Sequence, residues 1–264
     1  MLTTRFVDGA PVWTDVGAFD LDGARAFYGG LFGWEFRPAG PGDGGYGLFR
    51  LDGRTVAGCA GLAAGQGPPS WTVYFRSADA GATARNAERA HGTVLVRPTD
   101  VTDQGRMAVL ADRAGVAFGL WQPGRTGGVD LAGSPGALCW VELYTPDVPA
   151  AAAFYHLVLG LETSAASFPG GTYTCVNPAE GGADAMFGGV VPLADDPVEA
   201  AAGAYWLPYF AVEDADAAVA RTGELGGTVR VPATDIPGVG RVARLADPAG
   251  ARFAVLRPAP RREP

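Results

Sequence analysis

A chain of 264 residues with 48% hydrophobic content can bury the core of one large domain or of two ordinary ones. Its net charge of −8 has the wrong sign for gripping nucleic acid or an anionic membrane surface, both of which need a positive field. Every basic residue is an arginine, which excludes lysine chemistry, and two histidines, His91 and His156, exclude any mechanism built on several imidazoles.

In chain order, the opening MLTTRFVDGAPVW lacks the apolar stretch of a secretory signal, and no run reaches the ~20 apolar residues of a membrane span, so a cytoplasmic protein is expected. Val12–Phe19 alternates and predicts a strand. Leu21–Leu31 repeats apolar residues at helical spacing, with Asp20 or Asp22 placed to cap its start and Gly33 to stop it. WEFRP, YGLFRL and TVAGCAGL read as three further strands, with Asp52-Gly53 as a hairpin turn. This βαβββ unit covers about 11–64. A second, about 70–122, comprises Trp71–Arg76, a helix over Asp79–Ala90, TVLVRP, MAVLAD and VAFGLW. Residues 124–136 are rich in Gly and Pro without periodicity and read as a linker.

The second half then repeats the first. Trp13 aligns with Trp140, Asp15 with Glu142, Asp20 with Asp147, Phe27-Tyr28 with Phe154-Tyr155 and Gly33 with Gly160. SWTVYF from Ser70 matches YWLPYF from Tyr205, and RMAVLADRAG matches RVARLADPAG. The expected organisation is an α+β protein of two homologous domains, 1–123 and 137–258, the latter built from units at about 137–193 and 204–257, with a short tail at 259–264. A sheet with one helix on one face leaves its other face partly bare. Two units side by side therefore predict a curved sheet, mixed or antiparallel, around a concave cleft. Cys59, Cys139 and Cys175 are odd in number and far apart, which suits buried thiols.

The first strand, the Ala-x-x-Phe-Tyr helix ending in Gly, and the closing Leu-Ala-Asp hairpin, recurring in order from Pro11 to Arg257, resemble the vicinal oxygen chelate superfamily of glyoxalases, bleomycin resistance proteins and extradiol dioxygenases. Within it the chain is most similar to tandem two-domain actinobacterial glyoxalase-like members. The resemblance implies a divalent cation held by His, Gln or Glu on the first and last strands of paired units. The corresponding positions here are Trp13, Thr72, Gly119, Trp140, Leu207 and Ala254, none of them a ligand, so neither a metal nor another cofactor is expected.

Strand alternation puts Trp13 with Asp15, and Trp140 with Glu142 and Tyr144; Tyr74 shares a face with Thr72, Tyr209 with Leu207, and Trp121 with Gly119. If these faces line the clefts, Trp13, Trp140, Tyr144, Tyr74, Tyr209, Trp121, Thr72 and Leu207 make walls for a flat ligand, and Asp15 and Glu142 supply polar anchors or a general base. Tryptophan near a strand start serves equally as core, and a carboxylate there serves equally as a partner for backbone or arginine. Phe27-Tyr28 and Phe154-Tyr155 are expected in the core.

Two function classes follow. One is metal-free binding of a hydrophobic aromatic small molecule of antibiotic or polyketide type, for sequestration, resistance or delivery to a biosynthetic partner enzyme. The other is a cofactor-independent isomerase, cyclase or lyase using Asp15 or Glu142 as base; a metal-dependent glyoxalase or dioxygenase ranks last. The chain is expected as a monomer or homodimer. GDGGYG, residues 42–47, spells a dinucleotide motif but precedes no helix, so it lacks the context that gives the motif meaning.

Overall fold

The computed structural model describes residues 2–40, 45–168 and 171–260. Residues 42–44 of the GDGGYG stretch and the end of the tail, 261–264, lie outside the described residues.

The first half runs β1 (Pro11–Ala18), α1 (Leu21–Phe32), β2 (Glu35–Pro38), β3 (Gly47–Leu51), β4 (Arg54–Gly61), β5 (Ser70–Arg76), α2 (Ala80–Arg89), β6 (Thr93–Val101), β7 (Gly105–Ala111) and β8 (Ala117–Pro123). The second runs β9 (Leu138–Thr145), α3 (Val148–Leu159), β10 (Leu161–Phe168), β11 (Gly171–Pro178), β12 (Gly188–Pro192), α4 (Pro197–Ala200), β13 (Tyr205–Ala211), α5 (Ala215–Glu224), β14 (Thr228–Ile236), β15 (Gly240–Ala246) and β16 (Arg252–Pro258). The halves are homologous, each with one 8-stranded mixed sheet, ordered β2-β3-β4-β1-β5-β8-β7-β6 and β10-β11-β12-β9-β13-β16-β15-β14. None of the helices among the described residues is long and apolar enough to cross a membrane.

The local signals act as the sequence requires. Asp20 accepts from Gly23 N and Asp147 from Ala150 N, capping α1 and α3. Gly33 and Gly160 end those helices at φ 73° and 65°, in the left-handed region where glycine has no steric cost. Asp52 and Gly53 both take positive φ, which a tight turn matching strand twist demands.

By packing, the chain falls into two compact units that cut across the sequence halves. One gathers Met1–Trp13, Thr72–Gly128 and Trp140–Leu207; the other gathers Thr14–Trp71, Val129–Cys139 and Pro208–Pro264. Each has an aromatic core under its helices, with a buried hydrogen-bonded triad inside it. In the first, the Trp206 indole N–H donates to the Tyr155 hydroxyl (2.9 Å), which donates to Asp112 Oδ2 (3.2 Å). Asp112 Oδ1 accepts from Ala114 N and Val116 N, closing the β7–β8 hairpin. Phe75, Phe118, Phe154 and Phe187 surround it, all essentially inaccessible.

In the second unit Trp71 donates to Tyr28 (3.0 Å) and Tyr28 to Asp247 Oδ2 (3.0 Å), while Asp247 Oδ1 accepts from Ala249 N and Ala251 N. Trp34, Phe49, Phe210 and Phe253 complete that core. Burial, then the nearby aspartate, pushes both tyrosines well above the ordinary phenol range. Phe27-Tyr28 and Phe154-Tyr155 are core residues, as expected from their helix faces.

Candidate functional site

In β13, Trp206 points to the helix layer, so alternation turns Tyr205 and Leu207 to the opposite face. In β9, Cys139, Val141 and Leu143 are wholly buried, and alternation puts Trp140, Glu142 and Tyr144 on the other face. Four aromatic residues and two carboxylates of the first unit connect there.

Glu142 is the hub. Its Oε1 accepts from the Tyr173 hydroxyl at 2.6 Å, and its Oε2 from the Tyr144 hydroxyl at 3.1 Å. The Trp140 indole N–H donates to the Tyr173 oxygen at 3.0 Å, so Tyr173 receives one hydrogen bond and gives another. Burial, reinforced by the Glu142 charge, holds the Tyr173 phenol well above its ordinary range, so it stays a donor. The Tyr205 ring stacks on Tyr144 with centroids 5.5 Å apart and planes within 15°. Its hydroxyl donates to Glu199, on α4. Trp140, Glu142, Tyr173 and Tyr205 are half-buried and Tyr144 is buried.

Sheet register builds this arrangement. β9 and β12 run parallel with Glu142 opposite Gly189, and a Cβ on Gly189 would stand 2.0 Å from the Tyr173 oxygen. Only a glycine lets that phenol cross the neighbouring strand to reach the carboxylate.

The second unit carries the counterpart from the other half. Asp15 on β1 lies opposite Gly58 of β4, and Asp15 Oδ2 accepts from the Tyr46 hydroxyl at 3.2 Å. A Cβ on Gly58 would stand 2.1 Å from the Tyr46 oxygen. Asp15 is 7% exposed, and its charge adds to burial in pushing the adjacent Cys59 thiol up to about 12.

Of the remaining sequence-predicted residues, Trp13, Thr72, Tyr74, Trp121 and Leu207 belong to the first unit and Tyr209 to the second. Tyr74 is buried across Gly119, its partner in the β5–β8 pairing. Trp121 is half-buried with its N–H on the Thr126 carbonyl at 2.8 Å. Trp13 and Thr72 are half-buried, Leu207 is buried, and Tyr209 is buried opposite Ala254 of β16. The structure thus joins Trp140, Glu142 and Tyr144 in one network, with Asp15 in a second network in the other unit.

Four members went unnoticed in the sequence: Tyr46, Tyr173, Tyr205 and Glu199. For the first two a signal existed. Both tyrosines stand at the same place in the repeat, each after a run of glycines, and each is followed by a glycine on the strand that faces its carboxylate.

A metal of the kind the resemblance implies finds no donors at its positions, which hold indole, hydroxyl, hydrogen and aliphatic groups. Among the described residues no three His, Cys, Asp or Glu gather closely enough to hold one. His91 closes α2 at φ 65°, and His156 of α3 holds its Nδ1 2.9 Å from the Leu161 carbonyl at the start of β10, so both imidazoles serve helix ends.

Known proteins share this plan. The family model described as the Glyoxalase/Bleomycin resistance protein/Dioxygenase superfamily matches residues 11–120 and again 137–255. "Anthracycline biosynthesis protein DnrV" of Streptomyces peucetius is 41% identical over 96% of this chain and 94% of its own. "Putative glyoxylase CFP32" of Mycobacterium tuberculosis is 38% identical over 97% and 98%. Among solved structures, the Mn(II)-bound glyoxalase from Novosphingobium aromaticivorans superimposes with a TM-score of 0.62 at 17% identity, covering 95% of this chain and 82% of that one. The 2,3-dioxygenase LapB from Pseudomonas sp. KL28 gives 0.62 at 14%, covering 98% and 97%. Twice-matched along its length, and related end to end to proteins of the same build, the chain belongs to the glyoxalase/bleomycin resistance/dioxygenase superfamily.

Proposed function

We propose that the protein binds a hydrophobic, aromatic small molecule of antibiotic or polyketide type without a metal, for sequestration, resistance or delivery in secondary metabolism. The observation that carries this reading is the Trp140–Tyr173–Glu142–Tyr144 network. It is a half-buried aromatic face whose hydrogen-bonding groups are already fixed in place, so a flat guest meets dispersion surface and oriented polar atoms without paying to order them. The relatives named for anthracycline biosynthesis suggest the class: polycyclic hydroxyquinones, flat and apolar with hydroxyl and carbonyl edges.

The test is titration of intrinsic tryptophan fluorescence with a panel of polycyclic aromatics headed by a tetracyclic hydroxyanthraquinone. Saturable quenching is expected, weakened in Trp140→Phe. Linear, unsaturable quenching across the whole panel would overturn the reading.

A second reading has its own observation. The 2.6 Å contact of Tyr173 with Glu142 sets a phenol that keeps its proton beside a carboxylate, an oxyanion donor next to a general base, the pairing a cofactor-independent isomerase or cyclase would use. Glu142→Gln separates the two. An enzyme loses turnover and keeps binding, whereas a binder has no turnover to lose.

A further inference from the structure

Between β12 and β13 the chain makes a strap, residues 193–204, formed by a 3-10 turn (Leu193–Asp195) and the single turn of α4. The corresponding connection in the first half, 62–69, reads LAAGQGPP and carries no acid. A surface strap is ordinarily tied down by an apolar side chain in the core. Here the assignment is reversed: Val198 is 41% exposed, and Glu199 is the buried residue of the strap at 0% exposure. Asp196 caps α4 by accepting from Val198 N and Glu199 N, and Pro197 starts it, which sets the direction in which Glu199 leaves the turn. The carboxylate accepts from Tyr205, and Tyr205 stacks on Tyr144, which donates to Glu142.

Building on the binding reading above, we propose that this strap is the gate of the Glu142 site, latched by the Glu199–Tyr205 hydrogen bond. The physics favours a gate over a fixed wall. An anchor held by hydrogen bonds gains almost nothing from the hydrophobic effect, and a carboxylate released into water recovers its hydration, so opening costs far less than pulling an aromatic side chain from a core. The stacked Tyr144–Tyr205 pair couples the latch to the site: a flat guest that pushes Tyr205 off Tyr144 in passing also withdraws the donor from Glu199, and the latch closes again behind it. Tyr205 and Glu199 are therefore positioning residues, controlling access, and the rate of ligand exchange is theirs to set.

The experiment uses the full chain as wild type, Tyr205→Phe and Glu199→Gln. Amide hydrogen exchange across residues 193–204 is read by mass spectrometry, and binding and release of a tetracyclic hydroxyanthraquinone by stopped-flow tryptophan quenching. Tyr205→Phe keeps the stack and removes the phenol donor from the latch. We expect exchange in the strap to rise by roughly tenfold in the free protein, with association and dissociation accelerated together by a similar factor and Kd changed by less than about threefold. Glu199→Gln should move both readouts the same way by less, since an amide still accepts. Unchanged strap exchange in both variants overturns the latch; faster exchange with unchanged ligand rates overturns the gate. If the wild type binds nothing in the panel, the binding reading fails by itself, and strap exchange in the free variants still decides whether the latch exists.

Discussion

The two compact units agree under their helices and diverge on the opposite strand face. The Trp71–Tyr28–Asp247 and Trp206–Tyr155–Asp112 triads match group for group, down to the pair of backbone amides on each aspartate. Away from the helices, Asp15 accepts from Tyr46 and Glu142 from Tyr173 and Tyr144, and Gly17 and Ser70 stand in the repeat where Tyr144 and Tyr205 stand. One sequence, written twice, has kept what holds a helix to its sheet and has changed the strand face turned away from the helices. On the proposed binding function, that separation gives the triads to stability and the carboxylate networks to recognition.

The sharpest way to break this comparison is to strike both triads. Asp247→Ala strands the Tyr28 hydroxyl and two hairpin amides inside the core, and Asp112→Ala does the same in the other unit. Each should cost about 3 kcal/mol, the range for buried donors left unsatisfied, and the two costs should agree within about 1 kcal/mol. Urea denaturation, followed by near-ultraviolet circular dichroism, measures both. A loss of ligand binding without a loss of stability would reverse the assignment of roles.

A gentler strike falls on the strand face opposite the helices. Tyr173→Phe removes the 2.6 Å donor from Glu142, leaving it Tyr144, and removes the acceptor from the Trp140 indole, so the network loses the link between indole and carboxylate. Tyr46→Phe removes one 3.2 Å donor from Asp15, a residue that burial already confines. Hydroxyanthraquinone affinity should fall about tenfold in Tyr173→Phe, equivalent to about 1.4 kcal/mol, and by less than about threefold in Tyr46→Phe. Equal losses, read by fluorescence titration, would mean that the two networks serve the ligand alike and that the extra tyrosines of the second half add nothing.

Much of this was legible before any coordinates, because the information was local. The aspartate caps, the glycine stops, the Asp52-Gly53 turn and the alternation that groups Trp140 with Glu142 and Tyr144 are each set within a few residues. What escaped depends on register between strands. Tyr173 reaches Glu142 because β11 pairs with β12, β12 pairs with β9, and a glycine falls at the crossing. Tyr46 was hidden inside a string that spells a phosphate-binding motif. Trp71 and Trp206 escaped for a related reason: alternation shows that they share a face with Phe75 and Phe210, but it does not show which helix tyrosine lies above them.

The smallest effect concerns protons, and it separates the triads from the surface. Burial outweighs the amide and phenol donors at Asp112 and Asp247 and raises both carboxyls above their ordinary range. In the unfolded chain they titrate near about 3.9. The folded protein therefore holds these two protons to higher pH than the unfolded chain does. Their contribution to stability is complete below the unfolded pKa and is lost as pH climbs through the folded value. Exposed Asp103 and Asp216 slope the other way, since Arg125 and Arg241 hold their carboxyls low, so the bare pH curve mixes both signs. Comparison with an Asp112→Asn/Asp247→Asn double variant removes the surface term, which the two proteins share. The stability of the wild type relative to that variant should decline from about pH 4 toward neutrality, steepest where the buried carboxyls ionise. A flat difference curve from urea midpoints would show that the triad carboxyls are charged throughout. The two tyrosines would then be answering an anion, and the phenol–carboxylate pairs on both faces of the sheet would be the same chemical device.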